Sequence, residues 1–197
     1  MDRQKTTHEH PRRRRRLTTL LVLSLVSGSV GAGALSLAVF TDSKAVTGNA
    51  FTTGTIVLGV NPATALMTSS NMMPGDLVNG TLVVSNGGTG ALRYAMTSAS
   101  TNTDTKGLMT QLTLTIKTLG ASCAAFDGTS IYTGTLAAPA FGNPAQGADA
   151  GDRQLAAAAT ETLCFRATLP IGTGNAFQNA TTTATLTFDA EQTANNP

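Results

Sequence analysis

Histidine is missing from all but the first ten residues of this 197-residue chain, where His8 and His10 are the only two. That absence excludes a Ser-His-Asp triad and a His-ligated zinc site from everything downstream. His8-Glu9-His10 looks like a metal-site fragment, but a zinc-protease helix needs two histidines one turn apart and a third ligand. Tryptophan is absent and aromatics are 5% of the sequence. A carbohydrate-stacking platform would want more than Tyr94 and Tyr132, the only tyrosines.

Clustered basic charge is missing from the body of the chain. Of the 13 Lys+Arg, seven (Arg3, Lys5 and Arg12 to Arg16) precede Leu17, opposed there only by Asp2 and Glu9. The remainder carries six basic and nine acidic groups, a net charge of −3. Phosphate binding needs a clustered basic surface, so nucleic acid is excluded as a partner. The run Arg12 to Arg16 is followed at once by apolar sequence and reads as the n-region of a signal peptide.

No charge occurs from Leu17 through Thr41. Leu20 to Val26 is a compact apolar h-region, and Ser36 and Ala38 are the small residues that a signal peptidase seats. Cleavage after Ala38 is expected, giving a signal peptide over 1–38 and a new N-terminus at Val39. The alternative is a retained membrane anchor, since the uncharged stretch is long enough to span a bilayer; its Gly/Ser/Ala-rich second half speaks against that. Arg15-Arg16 hints at twin-arginine export, but the residues after it do not complete that motif.

The two cysteines, Cys123 and Cys164, both lie in the exported part. An even count in an oxidising compartment reads as one disulfide, two buried free thiols being the alternative. A bridge closes a 41-residue loop, worth on the order of 4 kcal/mol in the chain-entropy model.

Short alternating runs then dominate. Ile56, Leu58 and Val60 share one face of a strand beginning near Phe51. Leu82 and Val84, then Leu92, Tyr94 and Met96, then Leu112, Leu114 and Ile116 repeat the pattern. Leu163, Phe165, Ala167 and Leu169 follow, and Leu186 and Phe188 close it. Period two with Thr on the outer face marks half-buried antiparallel strands. Pro74-Gly75-Asp76 suits a type II turn. Asn86-Gly87-Gly88 suits a hairpin between the Leu82 and Leu92 strands. Residues 139–151 read as a long loop, 155–160 as a short helical turn or an Ala-rich edge strand, and 193–197 as a frayed tail. The expected fold is all-β: an antiparallel β-sandwich of jelly-roll type over 51–192, with 39–50 an N-terminal donor or edge strand. Its expected core is Ile56, Leu58, Leu112, Leu114, Leu163, Phe165, Leu186 and Phe188.

Catalytic and cofactor chemistry finds little support. The acids are scattered, with Asp149 and Asp152 the nearest pair, in a loop without EF-hand spacing for calcium. Gly87-Gly88-Thr89-Gly90 lacks the Lys-Ser/Thr of a phosphate loop. No enzyme and no cofactor are expected.

Four pieces of the chain together resemble the TasA/camelysin family of secreted Gram-positive matrix proteins. They are Ala38-Val39-Phe40-Thr41-Asp42 with Gly48-Asn49-Ala50-Phe51-Thr52-Thr53-Gly54-Thr55; Met73-Pro74-Gly75-Asp76; Val84-Ser85-Asn86-Gly87-Gly88; and Phe188-Asp189-Ala190-Glu191-Gln192. The resemblance implies a leader cut by a SipW-type signal peptidase. It also implies a secreted jelly-roll subunit of biofilm-matrix fibres, built by donor-strand complementation among copies of itself. Val39, Phe40, Thr41 and Asp42 would begin the assembly strand; alternatively the segment completes its own domain. Matrix or cell-wall components are further expected partners. A monomeric secreted adhesin or binding module is the second reading. The metalloprotease role described for camelysins is not carried over, because no histidine follows the leader.

Overall fold

A computed structural model describes residues 44–45 and 47–196. Ser36, Ala38, Val39, Phe40, Thr41 and Asp42 lie outside the described residues. Residues 1–50 and 51–197 separate into two units, and all the strands among the described residues belong to the second. Among the described residues no helix is long and apolar enough to cross a membrane.

The alternating runs become two antiparallel sheets. One has five strands in the order β1 (Leu58–Asn61), β2 (Leu77–Asn86), β7 (Thr160–Thr168), β4 (Thr113–Thr118) and β5 (Ser130–Thr135). The other has three: β6 (Arg153–Leu155), β3 (Leu92–Ser100) and β8 (Ala184–Gln192). A single helical turn, α1 (Leu108–Gln111), precedes β4. Orders 2-7-4-5 and 6-3-8 are those of a jelly roll, so the expected fold class holds. Between the sheets, Leu82, Val84, Leu92, Tyr94, Met96, Leu112, Leu114, Ile116, Leu163 and Phe165 form one buried cluster.

Of the expected core, Leu112, Leu114, Leu163 and Phe165 are buried, while Leu58, Leu186 and Phe188 pack half-buried against the cluster. Ile56 is not core; it is 37% exposed. The strand expected from Phe51 starts only at Leu58, whose partner is Asn86, the last residue of β2. Before that, Thr55 O accepts from Thr89 N and Gly90 N at 2.8 and 2.9 Å, and Val57 O accepts from Gly87 N at 2.8 Å. The chain there is tied to a corner beyond the end of β2, so Ile56 has no facing sheet.

Asn86-Gly87-Gly88 is not a hairpin, because β2 and β3 belong to different sheets. Asn86 is the staple of this crossover. Its buried amide donates to Gly90 O (2.8 Å), Ala156 O (3.1 Å) and Leu155 O (3.3 Å), and its Oδ1 accepts from Gly88 N at 2.9 Å. Gly88 has to be glycine, since a Cβ would stand 2.3 Å from Thr55 O. Residues 155–160 form neither a helical turn nor an edge strand. Leu155 ends β6, Ala156–Ala159 turn with a 3.1 Å hydrogen bond, and Thr160 begins β7 in the other sheet.

Both sheets carry a loop on an outer face. Residues 119–129 fold over the five-stranded sheet, pinned by Cys123–Cys164 at a Cα separation of 5.1 Å. Phe126 is buried beneath the cations of Arg166 (3.9 Å to the ring centroid) and Lys117 (5.0 Å). The loop expected at 139–151 does lack strands of its own, apart from a bridge between Phe141 and Met96. Asp152 anchors it, with Oδ1 accepting from Asn143 N (2.9 Å) and Oδ2 from Asp149 N (3.0 Å). The C-terminal tail, expected to fray, is held instead. Thr193 N donates to Ala91 O at 3.2 Å, and the buried guanidinium of Arg93 pairs with Glu191 at 2.7 Å and donates to Asn196 O.

Candidate assembly site

Antiparallel sheets that do not close have outer strands with unused hydrogen-bonding groups. Three of the four outer strands here are short: β1 has four residues, β6 three and β5 six. The fourth, β8, has nine, and all nine pair with β3 on one side, from Leu92↔Gln192 to Ser100↔Ala184. Among the described residues no strand pairs with its other side. The jelly-roll order shows why this edge is long. A first strand of that fold lies beside the last, giving 1-8-3-6. In this chain β1 has added to β2 instead.

Next to the open edge the core is incompletely covered. Leu186, Phe188 and Ala190 alternate inward from β8, yet all three stay only half-buried. Phe188 joins Tyr94 and Phe141 in a ring cluster, with centroids 6.0 to 6.4 Å apart. Tyr94 ties that cluster across the sandwich by donating its hydroxyl to Glu161 Oε2 of β7 at 2.5 Å. Arg153, opposite Tyr94 in β6, donates to the same carboxylate through Nε at 2.8 Å and also through Nη2. Burial pushes the Tyr94 hydroxyl far above its ordinary range, reinforced by its bond to Glu161. For Glu161 burial favours the neutral acid, but the bonds from Arg153 and Tyr94 outweigh it and lower its pKa. The result is a neutral phenol and an ionised carboxylate holding the two sheets together.

The ends of the sandwich differ. At one, Leu58 enters β1 beside Asn86, and Leu92, Leu155 and Gln192 lie at the same level; this is the entry pole. At the other, Leu77 faces Thr168, Thr168 faces Thr113, and Ser100 faces Ala184 and donates to Leu136 O at 2.5 Å; this is the turn pole. Pro74-Gly75-Asp76 sits there as the expected turn, with Gly75 φ at 99° and Asp76 N donating to Met73 O at 2.9 Å. The Asp76 carboxylate closes it by accepting from Met73 N at 2.8 Å.

The motifs singled out in the sequence are therefore not gathered into one site. The turn lies at one pole, the disulfide on an outer face, and the cleavage junction outside the described residues. The β8 edge had only a weak sequence signal, because alternation reports a strand but not which neighbour it lacks. Among the described residues no group of three or more His, Cys, Asp or Glu is placed to hold a metal. Residues 16–111 match the family model described as Camelysin metallo-endopeptidase, a span that ends with α1. No curated protein matches the chain.

Proposed function

Because residues 16–111 match the camelysin family model, we propose that this chain is a secreted structural subunit of the cell surface or biofilm matrix of a Gram-positive bacterium, assembled into fibres by strand exchange. The released segment beginning at Val39 adds to the open edge of β8 in another copy and covers Leu186 and Phe188. Removal of the leader by a SipW-type peptidase acts as the switch, because a segment tethered to its leader cannot enter a neighbour. A non-enzymatic role suits a body without histidine, whose Asp149–Asp152 loop uses the Asp152 carboxylate to hold its own amides.

The direction of the strands is the observation that carries this reading. β8 runs from the turn pole to the entry pole, so an antiparallel neighbour ends at the turn pole. The chain's own first strand begins at the opposite end, where Thr55 N is already held by Thr89 Oγ1 at 2.9 Å. Pairing along β8 carries the segment about 30 Å, and the eight steps from Thr47 back to Thr55 reach at most about 29 Å. The roughly 10 Å between stacked sheets would still have to be crossed. Insertion into a second copy has no such return, and a head-to-tail contact of this kind propagates.

The test is electron microscopy of purified protein beginning at Val39, beside a form lacking Val39 to Gly48. Filaments from the first and folded monomers from the second are expected. Persistent monomers of the Val39 form overturn the proposal and favour the adhesin reading. Normal filaments from the truncated form remove the segment from the mechanism.

A further inference from the structure

Exposed apolar side chains mark both poles. Pro74-Gly75 is flanked by Met73 (66% exposed) and Leu77 (50%). Ile171, 83% exposed, stands over the same turn, for a Cβ on Gly75 would lie 3.1 Å from Ile171 Cδ1. The two segments are locked together by Gly75 N donating to Leu169 O at 2.7 Å and Leu169 N to Asp76 O at 2.9 Å. At the entry pole Phe51 is 96% exposed and Val57 52%, with Ile56 between them. A rigid turn that presents methionine, leucine and isoleucine to water does nothing for the core beneath it.

We infer that these patches are two halves of one interface between copies, the turn pole of one subunit seating the entry pole of the next. The inference rests on the strand-exchange reading, and the chain direction selects the pairing. A donor antiparallel to β8 leaves its acceptor at the turn pole and re-enters its own body at the entry pole. With nine residues paired, residues 48–54 remain as linker, and the eight steps from Thr47 to Thr55 reach at most about 29 Å. The donor's entry pole is therefore held close to the acceptor's turn pole and to no other part of it. At the high effective concentration of so short a tether, a small apolar patch suffices to fix the angle between subunits.

Two single variants and their combination test this in the protein beginning at Val39. Ile171→Glu and Val57→Lys each place a charge on an exposed position, so the monomer's melting temperature should not change. Each alone should raise the concentration needed for filament growth at least tenfold. Ile171→Glu/Val57→Lys, which places opposite charges across the proposed contact, should recover most of that loss. A synthetic peptide of residues 39–50 carries no pole and should bind the Ile171→Glu variant as tightly as the unaltered protein. Filament growth by either single variant at the unaltered concentration overturns the pole contact, as does failure of the double variant to recover. Failure of the peptide to bind even the unaltered protein overturns the strand-exchange reading, and the pole contact with it.

Discussion

On the five-stranded sheet Leu114, Ile116, Leu163 and Phe165 are wholly buried, whereas on β8 Leu186, Phe188 and Ala190 stay only half-buried although they alternate in the same way. The difference is one of neighbours. β7 lies between β2 and β4, so its side chains have strands on both sides and a sheet opposite. Among the described residues β8 has a strand on one side only. Equal hydrophobic patterning thus gives unequal burial, and in the three-stranded sheet the shortfall falls along the β8 edge. A domain that left such an edge throughout its sheets would be poorly stable; here one complete sheet supports an incomplete one.

The comparison can be broken most severely on the complete side. Phe165→Ala should cost about 3–5 kcal/mol by the large-to-small cavity cost of a buried Phe, read from the denaturant midpoint of the monomer. A loss under about 1 kcal/mol would mean that the site collapses around the deletion.

Replacing both Cys123 and Cys164 by Ser should cost about 2–4 kcal/mol, the usual range for a disulfide of this loop length. The loss belongs to the five-stranded side, since the bridge joins residues 119–129 to β7. Calorimetry of the double variant measures it, and an unchanged melting temperature would assign the loop's hold to Phe126 and its two cations.

Phe188→Ala should cost only about 1–2 kcal/mol in the monomer, because part of that ring is already wet. The cost should approach that of Phe165→Ala once the peptide of residues 39–50 is bound. An equal cost with and without peptide would show that the peptide does not cover β8.

The smallest effect sharpens the link between the sheets. The lowered pKa of Glu161 means that its contribution is present above the ordinary carboxylate value of 4.5 and is lost as pH falls through the depressed folded value. Raised in the fold, Tyr94 behaves in the opposite sense: its contribution is complete below its ordinary value of 10.0 and declines as pH rises beyond it. Glu161→Gln should flatten the acid limb of the stability–pH curve, and Tyr94→Phe the alkaline limb, each for a loss of about 1–2 kcal/mol near neutrality. Unchanged limbs would show that other groups set them.

Local chemistry is what the residues declare on their own. Alternation of Leu112, Leu114 and Ile116 with Thr113, Thr115 and Lys117 is enough to make a strand with one buried face. Pro74-Gly75 makes a type II turn wherever it sits, because the ring sets one φ and glycine accepts the other. Two cysteines leave one possible intramolecular bridge. Those features need only nearest neighbours in the chain, and the strand patterns, the turn and the bridge were legible from them.

Which strand lies beside which is a long-range choice, and there the residues mislead. Asn86-Gly87-Gly88 has hairpin chemistry but serves a sheet crossover, since the Asn86 amide is satisfied by backbone carbonyls some seventy residues away. Ile56 continues the alternation of Leu58 and Val60 but runs off the end of β2 and stays 37% exposed, outside the buried core. β6, three residues long, is too short to show any period. The placement of β1 beside β2, and with it the open edge of β8, was decided only in the folded chain, because hydrogen-bonding edges accept any extended segment and tertiary geometry alone determines which one arrives.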